Sequence, residues 1–517
     1  MKTMKKLFCT LLAVVMLLAM AGVAMADDTT TTTTTTTTVP PVPTGTIEIT
    51  GLAAGESIKI YQVIEFTSNG VASLSDAHWE SSIQSWITSN SPKYDEYKDA
   101  ANLPAKPTVS EATFYNALSG QMKNLTAVVN DTANGATYTT KALPVGSYMV
   151  LIMGGEYAHQ PYLASIKPTG YDYEGNKWTV ENGKVNAGDK VSKPNVDKKV
   201  FGDKNDGTVA IGQEVPFTIT SDVPTYPESA YGVTYKLADI MDEGLTFNKD
   251  TLKVYGVEAD GKETDLTDSD AYTAAYPDSQ EGNNKIKIFE LKFDYAKIKD
   301  YKQIKVTYTA TVNDKIKVQS VENTNEVKFT YDKTTLSDST VVYSFGFDLT
   351  KYAETADGAL LPGAEFALTT ENGTKLTFTE KSDGHYVLDP KSTNTKLVTG
   401  KNDAMKGKII VDGLGVGKYK LVETKAPSGY NRMTEEKTVT IEQNGGATKK
   451  QYLNSTNDET KAESAYWYEK IVDKKISGLP VTGGMGTTIF MVAGIAVMAC
   501  AVAALLVVLK RQKHSEG

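Results

Sequence analysis

Apolar and polar residues alternate in short runs along most of the chain, the period-two pattern of strands that bury one face. Thr46–Thr50 and Ser57–Tyr61 open the series, and Tyr148–Met153 and Tyr162–Lys167 resume it. Between them, Asp76–Asn102 and Ser110–Leu125 take helical spacing. Trp79, Ile83, Trp86 and Ile87 fall on one helical face, and Ser110 is placed to cap the second helix. From Lys193-Pro194 onward the segments are short, β-branched and separated by Gly, Asp and Asn turns. They are Val215–Thr220, Lys285–Phe293, Ile304–Val312 and Glu326–Tyr331, then Phe345–Lys351, Ala364–Thr369, Lys408–Val411, Tyr419–Glu423 and Thr438–Glu442. The pattern predicts an all-β chain of tandem β-sandwiches, the first carrying a helical insertion.

Both ends break this pattern. Lys2, Lys5 and Lys6 precede the apolar run Leu7–Ala24, and Ala24-Met25-Ala26 supplies small residues for cleavage, as in a secretory signal peptide. Thr29–Thr38 is an unbroken threonine tract followed by Val39-Pro-Pro-Val-Pro43, too polar to bury a core and expected to be an extended linker. Near the other end, Thr487–Leu509 is apolar for 23 residues, enough to span a bilayer, and Lys510, Arg511 and Lys513 follow. Such a basic flank stays cytoplasmic and leaves the preceding chain outside the cell.

Composition narrows the function. The 517 residues are 40% hydrophobic and 23% charged, enough for several cores. A net charge of −9 argues against nucleic acid as a partner. Cys9 and Cys500 both lie in the apolar terminal runs, so disulfides, cysteine nucleophiles and cysteine metal sites are excluded between them. His78, His159, His385 and His514 show no ligand spacing, and no Ser-His-Asp arrangement is visible. Asp203–Gly207 and Thr355–Gly358 resemble fragments of calcium loops but lack a complete ligand set and read first as turns. No metal or cofactor is expected.

Three motifs carry a resemblance. Leu479-Pro480-Val481-Thr482-Gly483, set just before the apolar run and basic flank, resembles the LPXTG signal read by sortase transpeptidases of Gram-positive bacteria. Leu361-Pro-Gly-Ala-Glu-Phe366 and Tyr419-Lys-Leu-Val-Glu-Thr-Lys-Ala-Pro-Ser-Gly-Tyr430 resemble the Cna B-type immunoglobulin-like domain, the second of them its E-box. Together they make the chain similar to a sortase-assembled pilus backbone subunit. The organisation this implies is a signal peptide (1–26), a Thr/Pro linker (27–45), an N-terminal pilin domain (46–190), an isopeptide-forming immunoglobulin-like domain (191–343), a Cna B-type domain (344–478) and the sorting signal (479–517).

Parity within the strands selects candidate chemistry. Lys198 shares a face with Val196 and Val200, Asp239 with Tyr235 and Leu237, and Asn325 with Val327, Phe329 and Tyr331. Burial lowers a lysine pKa and raises an aspartate pKa, which leaves a neutral amine beside a protonated acid. The amine can then attack the Asn325 carbonyl while Asp239 shuttles protons, releasing ammonia and leaving an isopeptide bond. Alternation alone favours a buried Lys–Asp ion pair or a lysine snorkelling to solvent over the bond; the resemblance reverses that in favour of the bond. Lys351 shares a face with Phe347 and Leu349, and Glu423 with Tyr419 and Leu421. The resemblance makes Glu423 the proton shuttle. It also implies an acceptor in the last strand, where Asp473 stands in place of the usual asparagine and would release water. Asn454, in a turn-like stretch, is the alternative acceptor. The opening strand Thr46–Thr50 has no lysine, so no such bond is expected in the first domain.

The resemblance further implies sortase cleavage between Thr482 and Gly483 and transfer of the Thr482 acyl group to a lysine of the next subunit. The family's tyrosine-proline-lysine signature is absent; Lys190, four residues before Pro194, ranks ahead of Lys193 and Lys184. The implied partners are a class C-type pilus sortase, a housekeeping sortase, identical subunits, tip and base pilins and peptidoglycan. The function expected is a structural shaft supporting adhesion at the wall-anchored cell surface, not a turnover enzyme. A monomeric wall-anchored adhesin is the alternative, and a wall hydrolase is disfavoured by the missing catalytic set.

Overall fold

The computed structural model describes residues 41–70, 72–230, 233–282, 284–318, 322–442, 466–476 and 486–513. The chain forms two compact units. One takes the described residues within Met1–Gly207, Glu214–Thr311 and Asn323–Val341; the other takes those within Thr208–Gln213, Val312–Glu322 and Val342–Gly517. Most elements are strands, and among the described residues these pair only within 44–192, within 196–343 and within 345–473.

The main elements of the N-terminal strand group are β1 (Ile47–Thr50), β2 (Ser57–Glu65), β3 (His78–Trp79), α1 (Ser81–Ser89), α2 (Glu111–Ser119), β4 (Gly146–Met153), β5 (Ala158–His159), β6 (Tyr162–Asp172), β7 (Lys177–Glu181), β8 (Gly183–Asn186) and β9 (Val191–Ser192). The largest sheet runs β7-β6-β4-β2-β3, and β8 pairs in parallel with β1. Strand β4 is almost continuously apolar because both its faces are covered. On one side Tyr148, Val150 and Ile152 pack with Ile47, Ile49 and Ile58. On the other, Met149 and Leu151 meet the helical insertion through Ile83, Ile87, Phe114 and Leu118. Ser110 caps α2 by accepting from Thr113 N at 3.3 Å. The helical reading of Asp76–Asn102 fails in extent, since the α-helix there covers only Ser81–Ser89, and at one named residue. Trp79 is not on a helix but in β3, paired opposite Ile64 of β2, and α1 begins two residues later with Glu80 as its cap. The indole reaches the same core as Ile83 and Ile87 because Trp79 Nε1 donates to Tyr97 O at 2.8 Å, so the helical spacing was coincidental.

The main strands of the middle group are β10 (Val196–Val200), β11 (Glu214–Asp222), β12 (Tyr235–Asp242), β13 (Leu245–Val257), β14 (Lys285–Phe293), β15 (Gln303–Val312), β16 (Asn323–Tyr331) and β17 (Thr334–Tyr343). One sheet runs β10-β11-β15-β13 and the other β17-β16-β12-β14. Burial alternates residue by residue along β10, β15 and β16, as the sequence pattern predicts.

The C-terminal group contains β18 (Phe345–Ala353), β19 (Glu365–Thr370), β20 (Phe378–Ser382), β21 (His385–Leu388), β22 (Lys408–Leu414), β23 (Gly417–Lys425), β24 (Lys437–Ile441) and β25 (Tyr466–Asp473). Its sheets run β20-β21-β22-β18-β25 and β19-β23-β24. The strands β18 and β25 are parallel neighbours although they open and close the group. Helix α3 (Gly486–Lys513) contains Thr488–Arg511, the one helix among the described residues long and apolar enough to cross a membrane.

Candidate functional site: two buried amine and carboxyl clusters

In the middle group the two facing sheets each send polar groups into the core. Lys198 projects from β10 between Val196 and Val200; Asp239 and Asn325 come from β12 and β16 of the opposite sheet. Those two strands are antiparallel neighbours, with Asp239 opposite Val327 and Met241 opposite Asn325, which brings both polar side chains to one place. All three residues are at most 1% exposed. Lys198 Nζ donates to Asn325 Oδ1 at 2.8 Å and pairs with Asp239 Oδ2. The strand carrying the lysine is held by a further bond, Lys198 N to Asp338 Oδ2 at 2.7 Å.

Desolvation dominates the electrostatics. Burial pushes the Lys198 amine below its ordinary value and the Asp239 carboxyl above its own, and their mutual attraction only partly offsets this. Asp239 Oδ1 is buried without a hydrogen-bond partner. Both shifts act against the ion pair and toward the neutral amine and neutral acid.

A fourth group, not identified from the sequence, completes the cluster. Tyr308 lies on β15, beside the lysine's sheet neighbour β11. Its hydroxyl accepts from Lys198 Nζ at 2.9 Å and from Asn325 Nδ2 at 2.7 Å, and donates to Asp239 Oδ2 at 2.9 Å. The same parity that selects Lys198 also turns Ile304, Val306, Tyr308 and Ala310 inward. A tyrosine in such a row reads as ordinary core, however, so alternation gave no reason to single it out.

The C-terminal cluster has a different geometry. Lys351 of β18 lies opposite Ile471 of the parallel strand β25, and Ala353 opposite Asp473. Lys351 Nζ pairs with Asp473 Oδ1 and lies 3.1 Å from Glu423 Oε1, which β23 supplies from the facing sheet. The three residues are at most 2% exposed. Burial raises the Glu423 pKa, and Met433 N, which donates to its second oxygen at 2.7 Å, together with Lys351 limits the rise. Asp473 Oδ2 is buried with no hydrogen-bond partner. Gly407, at φ +69°, accepts from Lys351 N at 2.7 Å. A Cβ there would stand 2.9 Å from Leu361 N and 3.1 Å from Lys351 O, so glycine lets this loop close on the lysine strand. Asn454 lies outside the described residues.

The three lysines considered for polymerisation are all exposed. Lys184 is on β8, and Lys190 precedes β9 with its carbonyl accepting from Gln160 N at 3.0 Å. Lys193 is ion-paired with Glu156, which raises its pKa. A buried polar cluster underlies the Lys190 segment. His159 Nε2 meets Glu56 Oε1 at 2.9 Å, and Tyr162 donates to Ala187 O at 2.5 Å. The sorting motif Leu479, Pro480, Val481, Thr482 and Gly483 lies outside the described residues, as do the expected signal peptide and the threonine tract. The stretches around Asp203 and Thr355 form turns, and among the described residues no group of three or more His, Cys, Asp or Glu is placed to hold a metal.

Two groups of paired sheets, each enclosing a lysine amine beside a carboxyl group, define a modular β-sandwich protein. Residues 346–456 match the family model of the SpaA prealbumin-like fold domain. The chain is homologous to the trypsin-resistant surface T6 protein of Streptococcus pyogenes serotype M6, with 26% identity over 434 residues covering 77% of this chain and 72% of that one. Its fold is that of the T6 backbone pilin of serotype M6 Streptococcus pyogenes, a modular three-domain structure, at 20% identity and a TM-score of 0.53, over 85% of this chain and 100% of that chain. The group B streptococcus pilus 2b backbone protein is also similar, at 24% identity and a TM-score of 0.42, over 55% of this chain and 99% of that one. Its relatives in sequence and in fold are thus Gram-positive backbone pilins.

Proposed function

We propose that this chain is the repeating shaft subunit of a covalent pilus, hardened by two self-formed isopeptide bonds. The observation that carries the reading is the approach of Lys198 Nζ to within 2.8 Å of the Asn325 amide oxygen, in a dry core beside an acid. Holding the reactants together in this way replaces an encounter in water. The neutral amine attacks Asn325 Cγ, Asp239 transfers protons, the Cγ–Nδ2 bond breaks, and ammonia leaves. In the C-terminal group Lys351 attacks Asp473 Cγ with Glu423 as the acid, and water leaves. Each bond forms once, so the chain is a substrate of its own fold rather than a turnover enzyme.

In the same reading, the chain is exported and Asn-free at its C-terminal acceptor, and a pilus sortase cleaves between Thr482 and Gly483. The Thr482 acyl group passes to Lys190 of the next subunit, with Lys193 and Lys184 as the other exposed amines of that segment, and a housekeeping sortase joins the finished polymer to peptidoglycan. Helix α3 would hold the precursor in the membrane until cleavage. Tryptic mass spectrometry of native fibres tests all of this together. Branched peptides joining Lys198 to Asn325, Lys351 to Asp473 and Thr482 to one lysine are expected; linear peptides alone would refute the reading.

A further inference from the structure

Beyond the amine, the acceptor and the acid, we infer that Tyr308 is a catalytic residue of the middle cluster, relaying a proton from Asp239 to the departing Asn325 nitrogen. This rests on the isopeptide reading above and adds the step which that reading leaves open. Expelling the amide nitrogen as ammonia requires a proton at Nδ2. Within hydrogen-bonding reach, the bonds found at Asn325 are Lys198 Nζ to its Oδ1 and its own Nδ2 to the Tyr308 oxygen, at 2.7 Å. Asp239 bonds to Lys198 and to Tyr308; no bond joins it to Nδ2. The tyrosine hydroxyl therefore stands between the acid and the leaving group.

The step balances without any outside reactant. Lys198 Nζ forms its bond to Asn325 Cγ and gives up one proton as it becomes an amide nitrogen. Asp239 takes that proton on one oxygen and returns one through Oδ2 to the Tyr308 oxygen. Once Cγ is tetrahedral, Nδ2 carries a lone pair; the Tyr308 hydroxyl, which donates to Asp239 Oδ2 at rest, turns to Nδ2 and gives its proton there, the Cγ–Nδ2 bond breaks with its electron pair on nitrogen, and ammonia departs. Asp239 and Tyr308 end as they began. The surroundings suit this role. Burial holds the phenol well above its ordinary pKa, so it remains a hydroxyl able to donate and accept in one movement. Phe217 and Phe289 pack with ring centres 5.4 Å from it, and Phe247 at 5.6 Å, which fixes where the oxygen points.

The test is the rate at which the Lys198–Asn325 branched peptide appears after refolding the full chain, with the Lys351–Asp473 peptide as internal reference. Tyr308→Phe keeps the ring packing and removes the relay. Linkage is expected to slow by about a hundredfold, the usual scale for one proton-transfer group, while the reference is unchanged. Tyr308→Phe in a Lys198→Ala background, where no bond can form, measures any cost to folding alone. An equal rate in folded Tyr308→Phe chains would overturn the relay and leave the isopeptide reading intact if Asp239→Ala still blocks linkage. Absence of the branched peptide from the parent chain would sink both. Should the phenylalanine variant fold poorly, 3-fluorotyrosine at 308 keeps the hydroxyl and makes its proton more acidic. A changed rate supports the relay, and an unchanged one overturns it.

Discussion

Lys198 and Asn325 are 127 residues apart in sequence, yet the amine of one lies 2.8 Å from the amide oxygen of the other, each projecting from a different sheet. A bond between them would join the two halves of the sandwich through its core. The contact depends on two independent registers. Lys198 must face inward on β10, and the β12–β16 pairing must bring Asp239 and Asn325 together.

Loss of that link should be visible in stability. In the chain-entropy picture a closure of this length contributes about 5 kcal/mol, which corresponds to roughly 10–20 °C in the melting temperature of a domain this size. Lys198→Ala is expected to lower the thermal transition of the middle strand group by that order and to open it to trypsin. Unchanged melting, followed by calorimetry, would count against the link.

The leaving group of the C-terminal cluster should follow the acceptor. With Asp473, linkage to Lys351 removes one water. Asp473→Asn is expected to link still, but with loss of ammonia, whereas Glu423→Ala should leave Lys351 free. Mass mapping of the Lys351 peptide distinguishes these outcomes, and a linked peptide in Glu423→Ala would remove Glu423 from the mechanism.

Asp239 predicts a pH dependence. Its folded pKa is raised by burial, so the folded chain keeps its proton while the unfolded chain loses it above about 3.9. Its contribution is therefore complete at low pH and declines as pH rises toward the folded value. In Lys198→Ala, where neither link nor amine offsets the carboxylate, melting temperature should fall as pH is raised from about 4. Lys198→Ala/Asp239→Asn should lack this slope; parallel slopes in the two variants would contradict the assignment.

Polymerisation should depend on one exposed amine. In a sortase-bearing host, Lys190→Ala is expected to abolish the high-mass ladder on denaturing gels, while Lys193→Ala, whose amine is already engaged by Glu156, leaves it. A ladder persisting in Lys190→Ala and lost in Lys184→Ala or Lys193→Ala would move the junction to that residue.

Much of this was legible in the sequence because strands write their facing into every second residue. Alternation put Lys198, Asp239, Asn325, Lys351 and Glu423 on apolar faces, the resemblance favoured burial of the lysines, and the structure buries each of the five. What it does not encode is which inward groups meet. The parallel pairing that sets Asp473 beside Lys351 links strands whose contacting side chains are 122 residues apart. Nothing in the strand that carries Tyr308 marks its hydroxyl as functional. Trp79 was misplaced because a strand residue two positions before a helix start can mimic the helical period.

The parallel pairing of β18 with β25 has a mechanical consequence. These are the entering and leaving strands of their group, and Lys351 and Asp473 sit near the far end of both. Once the two side chains are joined, tension applied at the strand ends crosses from one to the other through the amide. The intervening polypeptide is bypassed and cannot be drawn out, so a chain of such modules would behave as an inextensible cord under flow.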